Sequence, residues 1–360
     1  MNEFQYNPNK AIHPGKTLED LIESINMTQI DLASRSDLSP KTINEIIQGK
    51  SPITPETAIK LSSVFGMSSS FWNNLQNKYV ETLARIEENH ILQKELSYLP
   101  RFSCYKELVK WGYISKPSNK IEIISNLLNF FGVSSLSLVP KIQAIAFRSS
   151  SKDALSKESL AAWLRCGVID AQKIDTQPFN KTELIKSIDR LRSLTKERPE
   201  IFQKKLINIC ASCGIALVFV PYFKKTGVNG ATTWLASDKA IIQLSLRSRF
   251  ADIFWFTFFH ELAHILIHGK KDQFVEFDND NTNLLSKEKE ADEFSCDVLI
   301  PKDKYSTFIK NGNYSDVAIK SFANSIGINS SIIAGRICHD KNLWKKLSHL
   351  RQRLVFVQNN

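Results

Sequence analysis

Between Phe256 and Gly269 the chain reads FTFFHELAHILIHG, and no other stretch limits the fold as strongly. Three histidines and a glutamate are set into an apolar run. Burying titratable groups is costly unless something compensates them, so a fold that holds this run must also supply the compensation. His260 and His264 are four residues apart, which on a helix puts them on one face, one turn apart. Two imidazoles so placed can aim ring nitrogens at one ion, and the adjacent Glu261 can reach a water on that ion. The pattern is HExxH. The bland alternative is a core helix with incidental polar residues, and the apolar flanks Phe258, Phe259, Leu262, Ile265 and Leu266 suit both. A chance HExxH in a chain of 360 residues is on the order of one in a hundred. One zinc ion per chain is the expected compensation.

A catalytic zinc site needs a third protein ligand and leaves its fourth position open. The later segment EKEADEF reads as helix, with Glu288 and Asp292 on one face. Glu288 is the expected third ligand, and Asp292 is expected to hold a histidine ring by its other nitrogen. Glu290, one register choice away, is the alternative ligand. His268 continues the face of His264 but does not fit the HExxHxxGxxH spacing, because Leu266 and Ile267 occupy the middle. It is read as a histidine near the negative end of the helix.

NGATTWLASDKAIIQLSLRSRFADIFWFTFFHELAHILIHGKK followed by EKEADEFSCDVLIP resembles the ImmA/IrrE-type metallo-endopeptidases, over roughly residues 200–305. The resemblance implies His260, His264 and an acidic residue of the second helix as ligands, with Glu261 as general base. It also implies DNA-binding repressors as substrates. Where that family commonly has Phe-Ala, this chain has Phe294-Ser295.

The first part of the chain carries a different signal. KTLEDLIESI has apolar residues at helical spacing. In TQIDLASRS Thr28 is a cap. In SDLSPKTINEIIQGK Ser39 caps, Pro40 opens the helix and Gly49 stops it; in TPETAIKLSSVFG Thr54, Pro55 and Gly66 do the same. SSFWNNLQNKYVETLARIEE is a longer fifth helix. The second and third, joined by a turn at Ser36 to Leu38, have helix-turn-helix spacing. Ile43, Ile46 and Ile47 are expected in the core. Lys41, Thr42, Asn44 and Gln48 are expected toward a DNA groove, with Ser39 beside them: Lys41 suits guanine or phosphate, and Asn44 and Gln48 suit adenine. Gln29, opening the first helix of the pair, is placed near a backbone phosphate.

Over about residues 12–80 this region resembles the HigA-type antitoxins, repressor-like proteins of toxin–antitoxin modules. The resemblance implies a homodimer on a palindromic operator. It brings in a toxin as partner only as the family's habit, since the fused peptidase region replaces the usual short antitoxin.

The net charge of +10 favours a polyanionic partner. Residues 1–88 hold eight Lys and Arg against eleven Asp and Glu, a net −3, which leaves +13 for the remainder. DNA binding by the first region therefore has to rest on local residues, with the basic remainder helping to hold DNA. The six cysteines are scattered and are read as reduced thiols; Cys210 and Cys213 are read as buried helix cysteines rather than a redox or metal pair. With no signal peptide and no long apolar span, the expected location is cytoplasmic, away from membranes.

From about 93 to 200 the pattern is helical (YKELVKWG, KIEIISNLLNFFG, KESLAAWLRCG, KTELIKSIDRLRSLT). Strand signals come later, in GIALVFVP, KAIIQLSL and, between them, GATTWL. Two helices are expected in DVAIKSFANSIGINSSIIAGRICHD. The expected fold is mostly α with a small β-sheet: a helix-turn-helix domain over 1–92, a helical connector over 93–195, a zinc peptidase domain over 196–310 and helices packed on it over 311–360. The expected function is a DNA-binding regulator with a zinc-dependent endopeptidase domain. The rival is a toxin–antitoxin type regulator whose zinc domain senses or scaffolds with little turnover. A small-molecule hydrolase ranks below both.

Overall fold

The computed structural model describes residues 10–140, 156–245, 247–268 and 281–354. The loop SSSKD and the first half of DNDNTN lie outside those residues; Asn281 already opens a helix. The chain divides into two compact units, Met1–Ser97 and Tyr98–Asn360.

The first unit is five helices: α1 Pro14–Ser24, α2 Gln29–Ser36, α3 Pro40–Ile47, α4 Pro55–Phe65 and α5 Ser69–Glu95. Side chains fix most of the starts. Thr28 and Asp31 form a reciprocal capping box at α2. Ser39 and Thr54 accept from the amides of Thr42 and Thr57, with proline next in line. α2 ends at Asp37, whose φ of 53° is left-handed, and the amides of Asp37 and Leu38 both return to the Ala33 carbonyl. That closure makes the sharp turn into α3. Leu18, Ile22, Leu32, Ile43, Ile46, Leu61 and Trp72 form the core, with Ile47 packed at its edge. α5 runs to Glu95, past the expected Glu88.

α1 can lie this close to α3 only because residue 15 is glycine. A Cβ on Gly15 would stand 1.8 Å from the Ile46 carbonyl oxygen, a backbone atom that cannot swing aside. Gly15→Ala is expected to cost roughly 3 kcal/mol, the upper end for overpacking a core. Hydrogen exchange of the α1–α3 amides in the full chain reads that loss, and unchanged protection would show that the helices separate freely.

The second unit holds α6 Tyr105–Lys110, α7 Lys120–Phe131, α8 Lys157–Gln172, α9 Lys181–Ser193 and α10 Pro199–Ser212, then β1 Ile215–Val220, β2 Gly230–Ala236 and β3 Lys239–Ser245. The sheet order is β1-β3-β2, with β1 parallel and β2 antiparallel to β3, so β2 is an edge strand. α8 belongs to this unit and packs on the sheet: Gln243 donates to the Trp163 carbonyl, and Trp163 to that of Val220. Cys210 lies in α10 and Cys213 just beyond it, both buried.

α11 Ala251–Ala263 follows and carries the HExxH segment. Phe254, Trp255, Phe258, Phe259 and Leu262 are all buried, as expected of a helix that is apolar all round and packed on several sides. Its neighbours are β2 and β3, α12 Asn281–Leu299 and α15 Ser330–Lys341. α13 Lys302–Lys310, α14 Asp316–Ile326 and the short α16 Trp344–Leu347 complete the unit. Buried Asp252, at the start of α11, is held by Arg351 through Nε at 2.9 Å and Nη2 at 2.8 Å. The Arg351 guanidinium also lies over the Phe250 and Trp344 rings. No helix among the described residues is long and apolar enough to cross a membrane.

Candidate metal centre and nucleic-acid interface

α11 and α12 lie side by side, and their contact brings three of the expected residues to one point. His260 Nε2 and His264 Nε2 are 3.1 Å apart. Glu288 reaches them from α12, with Oε2 3.3 Å from His260 Nε2 and Oε1 3.7 Å from His264 Nε2. Ligand atoms on a tetrahedral zinc with bonds of about 2.0–2.1 Å lie about 3.3 Å from one another; the two imidazole nitrogens are near that spacing, and each faces a different oxygen of Glu288. Glu288 Oε1 is buried without a hydrogen-bond partner. An orphaned buried carboxylate oxygen beside two facing imidazole nitrogens is a donor set that a dication would satisfy. Among the described residues, His260, His264 and Glu288 form the group able to hold a metal ion.

Asp292, one turn beyond Glu288, lies 2.8 Å from His260 Nδ1. Glu290 is not in the donor group; its carboxylate goes to His268 at 3.2 Å. Glu261, 8% exposed, turns toward the sheet. Its Oε2 accepts from the Thr232 hydroxyl at 2.7 Å, and its Oε1 fits against Gly230, where a Cβ would come within 2.7 Å. Thr232 is a contact that sequence reasoning missed, since 29 residues separate it from Glu261 and no motif links them. Ser295, where the resembled family has alanine, is fully buried and donates to the Phe256 carbonyl at 2.8 Å, tying α12 to α11.

The electrostatics of the cluster pull its members apart. Burial alone would lower His260, but the bonds to Asp292 and Glu288 and the nearby Glu261 charge outweigh it and raise the imidazole to about 10. Burial and the His260 charge push His264 down. Burial raises Glu261 to about 7, against the opposing pull of His260 and Thr232. A dication nearby would draw Glu261 back toward the carboxylate.

In the first unit, Lys41, Asn44 and Gln48 are exposed along α3. Lys41 is 84% exposed, with Glu45 3.9 Å away; Gln48 donates to Asn44 at 3.1 Å. The Ser39 hydroxyl accepts from the Thr42 amide and meets the Thr42 hydroxyl at 2.8 Å, so these two build the start of the helix. Gln29 is half-buried at the first turn of α2.

Two family models match the chain: a helix-turn-helix over residues 18–72 and an IrrE N-terminal-like domain over 248–333. The HTH-type transcriptional regulator YddM of Escherichia coli is 36% identical over 75 residues, covering 21% of this chain and 78% of that protein. Virulence-associated protein I of Dichelobacter nodosus is 34% identical over 82 residues, 22% of this chain and 76% of its own. An addiction module antidote protein of the HigA family from Coxiella burnetii is a solved structure with 31% identity, covering 24% of this chain and 94% of that one at a TM-score of 0.22.

Proposed function

We propose a function for a chain that belongs to the helix-turn-helix transcriptional regulators and carries an IrrE-like peptidase domain: it is a DNA-binding regulator that is also a zinc-dependent endopeptidase, acting in the cytoplasm on a repressor or another regulatory protein. The observation that carries the enzymatic half is the donor group His260, His264 and Glu288 with its orphaned Glu288 oxygen, beside the buried carboxylate of Glu261. Three protein ligands suit a catalytic zinc, since structural sites close with four. Bound zinc would supply Lewis acidity toward a scissile carbonyl. Glu261 is the general base, taking a proton on its carboxylate and passing it to the leaving amine. Thr232 holds that carboxylate in place. An extended substrate segment would run along the edge strand β2, which carries Gly230 and Thr232 against Glu261. Zinc analysis of the purified chain, followed by its incubation with candidate repressors, tests this half; an absence of bound zinc would sink it.

Zinc binding is expected to release protons. His260, raised to about 10, carries a proton at pH 7 that its Nε2 must give up to a metal. Protonation therefore competes with binding below that value, and apparent zinc affinity should rise with pH, by up to about tenfold per unit between pH 7 and 10. Calorimetry in buffers of different ionisation enthalpy reads the proton count. An affinity flat across that range would mean that His260 is not held protonated in the metal-free chain.

The regulatory half places α3 in the major groove of an operator, with the palindrome read by a homodimer. Lys41→Ala should weaken binding to all sequences alike and lower the salt slope by about one unit. Asn44→Ala should cost about 1–3 kcal/mol on the specific site alone. Gel-shift titrations on the DNA upstream of the protein's own coding sequence separate the two effects. If both variants match wild type, α3 is not the recognition helix.

A further inference from the structure

Beyond Ala263 the HExxH segment stops being α-helical. His264–His268 is a π-helical stretch, in which backbone bonds run i→i+5 and each turn is wider. Within it the His268 ring stands by that of His264, with ring centroids 5.1 Å apart. The Nδ1 atoms of the two rings face each other at 3.0 Å. His268 Nε2 lies 3.2 Å from Glu290 Oε2 on α12. The His268 side chain is 8% exposed, and both of its nitrogens are engaged.

For two neutral rings these contacts admit one order of protons. A neutral ring nitrogen facing a carboxylate carries the hydrogen, so His268 donates from Nε2 to Glu290. Its Nδ1 is then bare and accepts from Nδ1–H of His264. That leaves His264 Nε2 bare on the side facing His260 Nε2 and Glu288, the form a metal ligand must have. Asp292 meets Nδ1 of His260 directly, at 2.8 Å, and keeps the Nδ1 proton in place when Nε2 gives up its own to a metal. Among the described residues, His264 Nδ1 meets an imidazole where His260 Nδ1 meets a carboxylate.

We propose that His268 is a positioning residue for His264, with Glu290 fixing its orientation. This rests on the metal reading of His260, His264 and Glu288. Zinc affinity of the full chain, by competition with a chromophoric chelator, is compared for wild type, His268→Leu, His268→Asn and Glu290→Ala. His268→Leu should bind zinc ~10–100-fold more weakly, with the melting point of the metal-free protein unchanged. His268→Asn places an acceptor oxygen near the former Nδ1 and should regain most of the loss; Glu290→Ala should lose less than His268→Leu. Long-range ¹H–¹⁵N spectra of histidine-labelled protein should show His264 protonated at Nδ1 and His268 at Nε2, with or without zinc. The proposal is overturned if His268→Leu binds within twofold of wild type, if His268→Asn is no better than His268→Leu, or if His264 carries its hydrogen on Nε2. Should wild type bind no zinc while the spectra show these tautomers, the metal reading fails and the relay stands.

Discussion

Glu261→Gln is expected to lower proteolysis by a hundredfold or more while leaving bound zinc and operator affinity unchanged. The amide is nearly isosteric, and its oxygen can still accept from Thr232. A neutral side chain is also cheaper to bury than the carboxylate it replaces, and Glu261 is 8% exposed. What disappears is the group that accepts a proton, and general-base catalysis is worth about 10²–10⁴. Because Glu261 is not in the donor group, the metal should remain. Zinc content, cleavage of a candidate repressor and operator binding are measured on the same preparation. If cells carrying Glu261→Gln repress and derepress their target promoter as wild type does under every stress tried, proteolysis has no role in regulation, and the zinc region is a scaffold or sensor.

The second large effect is loss of the metal. His264→Ala and Glu288→Ala should each release most of the zinc, since a three-ligand site tolerates little loss. Glu290→Ala should stay largely loaded at stoichiometric zinc, because its carboxylate faces His268 and not the donor group. Metal analysis after dialysis decides between them. Full zinc in His264→Ala would refute the assignment, and loss in Glu290→Ala with retention in Glu288→Ala would move the ligand.

Much of this architecture is legible in the residues. Ser39-Pro40 and Thr54-Pro55 mark helix starts because capping and proline chemistry are local. The apolar surround of His260 and His264 marks a buried helix, and the β-rich runs mark the three strands. What the sequence hides depends on packing between distant segments or on backbone choices with several acceptable answers. Glu288 and Glu290 both lie on α12, and only the way that helix rolls against α11 separates their carboxylates. The turn at Asp37 needs a positive φ that an aspartate adopts but does not announce. Nothing in HILIH distinguishes a π turn from an α turn, so His268 reads as a histidine at a helix end until its two partners are seen. Thr232 looks like an ordinary strand residue until it is found on the Glu261 carboxylate.

The Asp252–Arg351 pair joins residues 99 apart in the chain. The backbone reinforces it there, with Ala251 N–H donating to the Gln352 carbonyl and Leu354 N–H to that of Arg249. On the ribosome, the segment that bears both histidines is made long before the residues that anchor its first turn. A chain without Arg351 has no guanidinium to meet the carboxylate at the base of α11, and breaking a buried pair of this kind costs several kcal/mol. Truncation before residue 351 is thus expected to loosen the histidine helix from its neighbours although neither histidine is touched.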